Sequence, residues 1–523
     1  MPTSTTPCTA TLRATTLRAA ALAAAVALLA LTGCSDDSGN GQDLGKQQLD
    51  WQDCPAPSTA EGGGPAPSPL PGGAEWQCAT VAVPRDYAEP DGETVDIALI
   101  RGQARDQDRR IGSLIYNFGG PGSSGIATLP AAAKDYERLR ERYDLVSFDP
   151  RGVGRSAGVK CENDRQLDAY YAQDATPDDA TEEKILTDHI KTYAASCEKN
   201  SGAVLPYVGT LNAARDLDLM RQVLGDDKLY YFGFSYGTEL GGVYAHLFPK
   251  KVGRAVFDAV VDPTKDSEQG SLGQAKGFQL ALDGFAQDCV DRGDECQLPG
   301  STAKEIEENI VEFLQQLEKK PITGIGEREL TQSAATNGIA QALYSKEYWP
   351  LLEQGLDEAD GGNGQLLLAL SDALNGRNQD GTYSNLGAAN TAINCVDSKD
   401  RYTLAETKAK LPVFRAASPV FGDWLGWSML SCTNWPVPGT WEHPDVSAPG
   451  AAPILLIGTT GDPATPYEGT RKMADALGKG VGVEVTYRGE GHGAYNGGNR
   501  CVQAAVDGYL LRGRVPAAGT VCE

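Results

Sequence analysis

One serine stands where chemistry can be built around it. The chain reads Gly233-Phe234-Ser235-Tyr236-Gly237, after the apolar run Leu229-Tyr230-Tyr231-Phe232 and before a helix-forming stretch at 238–248. Strand, sharp turn and helix make a nucleophile elbow, in which flanking glycines let the backbone bend enough to raise a hydroxyl above a sheet. In a chain with 61 glycines such a pentapeptide also arises by chance, so its flanks and partners must carry the argument.

A serine hydroxyl is a weak nucleophile near neutral pH. It needs a base to take its proton, and that base needs an acid to orient it. The chain has four histidines. His189 lies in an acidic helical stretch, His246 sits far along the helix behind Ser235, and His443 precedes Pro444 in a Pro-rich loop. His492, within Gly489-Glu490-Gly491-His492-Gly493, follows a strand near the C-terminus and reads as the base. The acid should lie between serine and histidine along the chain. Asp462, in Gly461-Asp462-Pro463-Ala464-Thr465-Pro466, follows the apolar strand 453–457 and is the expected acid; Asp262, before Pro263, is held in reserve. An aspartate before proline is common in turns, so here position decides.

Such a trio transfers acyl groups through a covalent intermediate whose oxyanion needs backbone donors. Tyr236 N–H, just after the nucleophile, is one. The other is expected in Asn117-Phe118-Gly119-Gly120-Pro121-Gly122-Ser123-Ser124-Gly125, with Gly120 preferred and Gly119 second. No metal and no cofactor is expected, because there is no Cys-x-x-Cys and the histidines are scattered. Gly152-Val153-Gly154-Arg155-Ser156-Ala157 fits a loose dinucleotide fingerprint, but Pro150 and Arg151 intervene after the strand and no clear helix opens at Ala157. It reads as a structural turn beside the site.

These residues need a scaffold. Short apolar strands are expected at 79–83, 94–100, 113–118, 144–148, 229–232, 254–257, 453–457 and 483–487, with a helix at 211–224. Alternating strands and helices give an α/β fold with a mainly parallel sheet. From 263 to 423 helical runs dominate; in 302–319, Ile306, Ile310, Phe313, Leu314 and Leu317 form one apolar stripe. That block reads as a lid inserted between a first core part, 76–262, and a C-terminal core part, 424–523.

Residues 1–33 read as a signal peptide. Arg13 and Arg18 lead into 13 apolar residues at 19–31, too short to span a bilayer, and Leu31-Thr32-Gly33 precedes Cys34. That cysteine resembles a lipobox residue, so a lipid on Cys34 is expected, with 34–75, rich in Gly, Pro, Ser and Asp, as a flexible tether. Beyond Cys8 and Cys34, ten cysteines remain, an even number that argues for disulfides in an exported chain; neighbour-to-neighbour pairing is the simplest arrangement. The formal charge is -24, or about -26 once Arg13 and Arg18 are removed from a leader without acids, which makes nucleic acid an improbable partner.

Together the motifs resemble the α/β-hydrolase fold, and more narrowly the secreted tripeptidyl aminopeptidases of bacteria, relatives of prolyl aminopeptidase. The resemblance rests on Gly119–Gly125, Phe148–Ser156, Gly233–Thr238, Gly461–Pro466, Gly491–Gly493 and Cys432-Thr433-Asn434-Trp435-Pro436, and runs from about residue 76 to the C-terminus. It implies Ser235 as nucleophile, Asp462 as acid and His492 as base. It also implies an acid for the substrate's free α-ammonium group, for which Asp397 in Asn394-Cys395-Val396-Asp397 is the candidate. Trp424, Trp427 and Trp435 could line a pocket, though such residues more often pack a core. The expected activity is that of a serine exopeptidase on the outer face of the membrane, held there only by its lipid and acting on peptides. The alternatives are a carboxylesterase or lipase with the same trio, and a solute-binding lipoprotein without catalysis.

Overall fold

Strands buried on both faces dictate a sheet covered on two sides, and in Gly112–Asn117 and Tyr143–Phe148 every residue is buried. The computed structural model describes residues 43–523; the expected leader and lipidated Cys34 lie outside the described residues. The strands in chain order are β1 (Gln52–Asp53), β2 (Gln77–Pro84), β3 (Thr94–Gly102), β4 (Gly112–Asn117), β5 (Tyr143–Phe148), β6 (Leu229–Phe234), β7 (Val252–Asp258), β8 (Ile322–Thr323), β9 (Glu329–Leu330), β10 (Ile454–Gly461), β11 (Gly482–Glu490) and β12 (Thr520–Cys522). Ten of them form one sheet, ordered β1-β2-β3-β5-β4-β6-β7-β10-β11-β12. The seven strands from β5 to β12 run parallel; β1, β2 and β3 join antiparallel at one edge. This is the α/β fold expected, with the order of β5, β4 and β6 produced by helical crossovers.

Helix Thr210–Val223 buries Ala213, Ala214, Leu217 and Met220 against one sheet face, within a residue of the predicted span. On the other face, Arg500–Arg512 buries Val502, Val506 and Leu510. Between β7 and β10 the chain builds a separate apolar cluster, from Ala275 and Phe278 to Leu425 and Met429, with Ile306, Ile310, Leu314 and Leu317 of helix Ala303–Lys319 inside it. The helical block thus continues past residue 423. Trp424 and Phe421 pack on Phe278 in that cluster, and Trp427 and Trp435 are buried in two others. The tryptophans are packing residues.

The tether expectation needs correction over its described part. Residues 43–75 lie against the core rather than free of it. β1 pairs with β2, Cys54 bonds Cys78, and Leu70 is buried beside Trp76. Glu61 is 4% exposed and pairs with Arg155 at 2.9 Å. Glycine and proline content predicts a lack of regular structure; it does not predict a lack of contacts. Five disulfides, Cys54–Cys78, Cys161–Cys197, Cys289–Cys296, Cys395–Cys432 and Cys501–Cys522, join neighbours along the chain.

Candidate active site

β6 ends at Phe234, and the helix Tyr236–Leu247 starts two residues later. Between them Ser235 takes φ 54°, a conformation that costs a non-glycine residue energy and persists only where surroundings impose it. The surroundings are tight. A Cβ on Gly233 would lie 2.4 Å from the Gly237 carbonyl oxygen, and one on Gly237 would lie 2.7 Å from that of Asn117. Both glycines of the motif are therefore required. Ser235 N–H donates to the Asp258 carbonyl at 3.1 Å, and Thr238 donates through N and Oγ1 to the Ser235 carbonyl at 2.8 and 2.7 Å.

Asp462 follows β10 and is 1% exposed. Its Oδ1 accepts the N–H groups of Ala464 (3.0 Å) and Thr465 (2.8 Å) and lies 2.8 Å from His492 Nδ1, while Thr465 Oγ1 donates to Oδ2 at 2.9 Å. His492 comes just after β11; its N–H donates to the Tyr344 carbonyl of the helical block at 2.7 Å, and the Tyr344 ring meets the imidazole edge-on at 5.2 Å. Burial works against a charged imidazole, but Asp462 and, more weakly, Asp258 outweigh it and hold His492 above its ordinary value. The acid and base expected from the sequence meet.

The Ser235 hydroxyl makes no hydrogen bond among the described residues, to His492 or to any other. Nucleophile–base contacts in ligand-free hydrolases are often loose and tighten with substrate. What ties the elbow to the histidine loop is Asp258, the last residue of β7, whose carboxylate accepts the N–H groups of Ala494 and Tyr495. Sequence reasoning passed over it as the end of an apolar strand. The reserve acid Asp262 instead holds Thr264, through N at 3.0 Å and Oγ1 at 2.7 Å.

The oxyanion loop closes on the elbow: a Cβ on Gly119, whose φ is +85°, would lie 2.9 Å from Ser235 Cβ. Gly119 N–H already donates to Asn117 Oδ1 at 3.0 Å. Gly120 N–H and Tyr236 N–H have no acceptor among the described residues, which favours Gly120 over Gly119. Behind the loop, Asp149 accepts from Ser124 Oγ at 2.6 Å and starts the helix Gly125–Ala132. Arg151 is buried on Asp216. The Gly152–Gly154 stretch is structural.

Asp397 closes the helix Leu386–Asp397 and is 5% exposed. It accepts Thr210 N–H at 2.9 Å and Thr210 Oγ1 at 2.6 Å, capping a helix whose own N-cap, Gly209, has no side chain. Thr210 Oγ1 also pairs with the Tyr236 hydroxyl at 2.6 Å. Burial pushes Asp397 up to about 7, against the pull of Thr210. Glu239, three residues after Tyr236 and so on the same helical face, is partly buried and makes no hydrogen bond or ion pair among the described residues. Burial, then the charge of Asp397, push it up to about 8. The sequence reading missed Glu239; an acid one turn beyond the elbow was its only signal.

Residues 112–310 match the family model described as alpha/beta hydrolase fold, and residues 418–522 match the one described as TAP-like protein. The serine protease Hip1 of Mycobacterium tuberculosis strain H37Rv is 37% identical over 95% of this chain and 96% of its own. This chain belongs to the α/β-hydrolase serine peptidases of the TAP-like family. Two further relatives of this TAP-like peptidase are the tripeptidyl aminopeptidase of Streptomyces lividans, 32% identical over 91% of this chain and 86% of that one, and carboxylesterase B of M. tuberculosis strain H37Rv, 35% identical over 85% and 86%. Membership in this enzyme family sets aside the solute-binding alternative. Ser235 and Asp258 fall in the first matched segment, Asp462 and His492 in the second, and Asp397 in the unmatched stretch between.

Proposed function

We propose that the protein is a secreted, lipid-anchored serine aminopeptidase that releases short peptides, tripeptides foremost, from free N-termini. Ser235 Oγ attacks the scissile carbonyl while His492 Nε2 takes its proton, and Asp462 holds Nδ1–H toward the imidazolium that forms. The N–H groups of Gly120 and Tyr236 receive the oxyanion. His492 then returns the proton to the leaving amine, and water, activated the same way, frees the acyl-enzyme.

One observation carries the exopeptidase reading: two acids, Glu239 and Asp397, interact beside the elbow with no cation facing them among the described residues. An α-ammonium group complements that charge. Glu239, unpartnered, is its contact, and Asp397 holds the surrounding frame through Thr210 and Tyr236. The names of Hip1 and of the S. lividans relative agree with a peptidase; carboxylesterase B supports the second reading, ester hydrolysis by the same trio. Export and a lipid on Cys34 rest on the leader sequence and on five disulfides, which persist in oxidising compartments.

A fluorophosphonate probe is expected to label the protein, and Ser235→Ala to abolish labelling and turnover. Chromogenic tripeptides with free N-termini are expected to react faster than their acetylated forms and than a short-chain ester. Equal turnover of free and blocked peptides removes the aminopeptidase reading.

A further inference from the structure

We propose that Asp258 is a positioning residue for catalysis, the clamp that locks the loop carrying His492 onto the strand ends carrying Ser235 and Asp462. Its register places it between both: in β7 it lies opposite Phe234 of β6, the residue before the nucleophile, and opposite Ile457 of β10, the strand that leads to the acid. Its carbonyl accepts Ser235 N–H at 3.1 Å. Its carboxylate accepts Ala494 N–H, 3.1 Å from both oxygens, and Tyr495 N–H at 2.9 Å. One residue thus touches the nucleophile's backbone on one side and the base's loop on the other. The side chain is fully buried, and the chain leaves it through Ala259 at φ 57°, a left-handed turn that an alanine adopts only under constraint.

The clamp depends on an anion. An ionised carboxylate only accepts hydrogen bonds and meets the amides with both oxygens; a proton on the oxygen shared only with Ala494 sets a donor against an N–H and leaves one uncharged oxygen to take both bonds. Burial pushes Asp258 up to about 6, the two amides pull it down, Asp462 pushes it up and His492 pulls it down. The other titratable groups around it are the phenols of Tyr136, which donates no bond to it, and Tyr495, whose hydroxyl donates to Asp507. On a substrate without an α-ammonium group two protons must therefore leave for full activity, one from His492 and one from Asp258; Glu239 adds its own ionisation only where it meets a free N-terminus. The anion also stabilises the imidazolium that forms during attack.

This inference rests on the Ser235–Asp462–His492 reading, whose failure has its own sign: labelling that survives Ser235→Ala. The test is Asp258→Asn in the whole chain, assayed across pH on an N-acetylated tripeptide, which carries no α-ammonium group and so leaves Glu239 out of the profile. The amide keeps the shape, but it replaces one accepting oxygen by an NH2 donor that faces the Ala494 N–H, and it removes the charge. We expect kcat to fall about 10- to 100-fold with KM little changed, as for a displaced catalytic group. We also expect the acid limb of kcat/KM to move to lower pH, because loss of the anion lowers the imidazole's proton affinity, and its slope to drop from two protons to one. A folded variant with unaltered kcat and an unmoved acid limb, changed only in melting temperature, makes Asp258 a packing residue and overturns the proposal. Should the variant not fold, the wild-type profile on the N-acetylated tripeptide decides: a two-proton acid limb supports the clamp, and a one-proton limb overturns it.

Discussion

The two sides of the nucleophile turn are built differently. On the histidine side, both oxygens of the two acids that hold the base have donors: Asp462 is held by Ala464, Thr465 and His492, and Asp258 by Ala494 and Tyr495. On the side of helix Leu386–Asp397, Asp397 is satisfied by Thr210, but Glu239 beside it has no partner among the described residues. The two acids that hold the base are saturated; the acid proposed to meet a ligand is open. The acid–base half of the machinery is preorganised by fully hydrogen-bonded carboxylates, the Ser235 hydroxyl has still to close on His492, and recognition awaits the substrate's own charge.

That contrast can be broken from either side. Asp462→Asn should cost about 10⁴-fold in kcat by presenting the wrong imidazole tautomer while the geometry stays intact, with KM for a tripeptide little altered. A KM effect of similar size would mean that the saturated side also binds. Glu239→Gln is expected to act in the opposite manner: kcat/KM for free tripeptides falls about 10- to 100-fold, the weight of one charge-assisted hydrogen bond, whereas acetylated peptides and esters are unaffected. Uniform loss on all substrates would return Glu239 to a structural role. Glu61→Gln, away from both sides, should leave kcat/KM unchanged and destabilise the fold by about 1–3 kcal/mol in a denaturant titration, because Arg155 loses its buried partner. No change in stability would restore the picture of a loose N-terminal tether.

How much was legible follows from what each residue needs around it. Ser235, Asp462 and His492 were readable because an elbow, an acid after a strand and a histidine between glycines demand particular neighbours in sequence. Asp258 demands neighbours in space. Its partners are 23 residues upstream and more than two hundred downstream, and nothing local separates it from any aspartate closing a strand. Glu239 drew no reading from sequence, because an acid one turn beyond the elbow gains meaning only with Asp397 acting on it across the fold. β1 and β12 were too short to show a pattern. The N-terminal stretch misled for another reason: composition reports on regular structure, while its attachment depends on Cys54 reaching Cys78 and Glu61 reaching Arg155.

The cysteine bridges have a consequence for how the molecule is made. Their separations are 24, 36, 7, 37 and 21 residues, and no loop encloses or crosses another. If the chain is exported as proposed, each pair can seal as soon as its second member emerges, before the next cysteine pair follows. Emergence from the N-terminus onward then favours the native set over pairings between distant thiols.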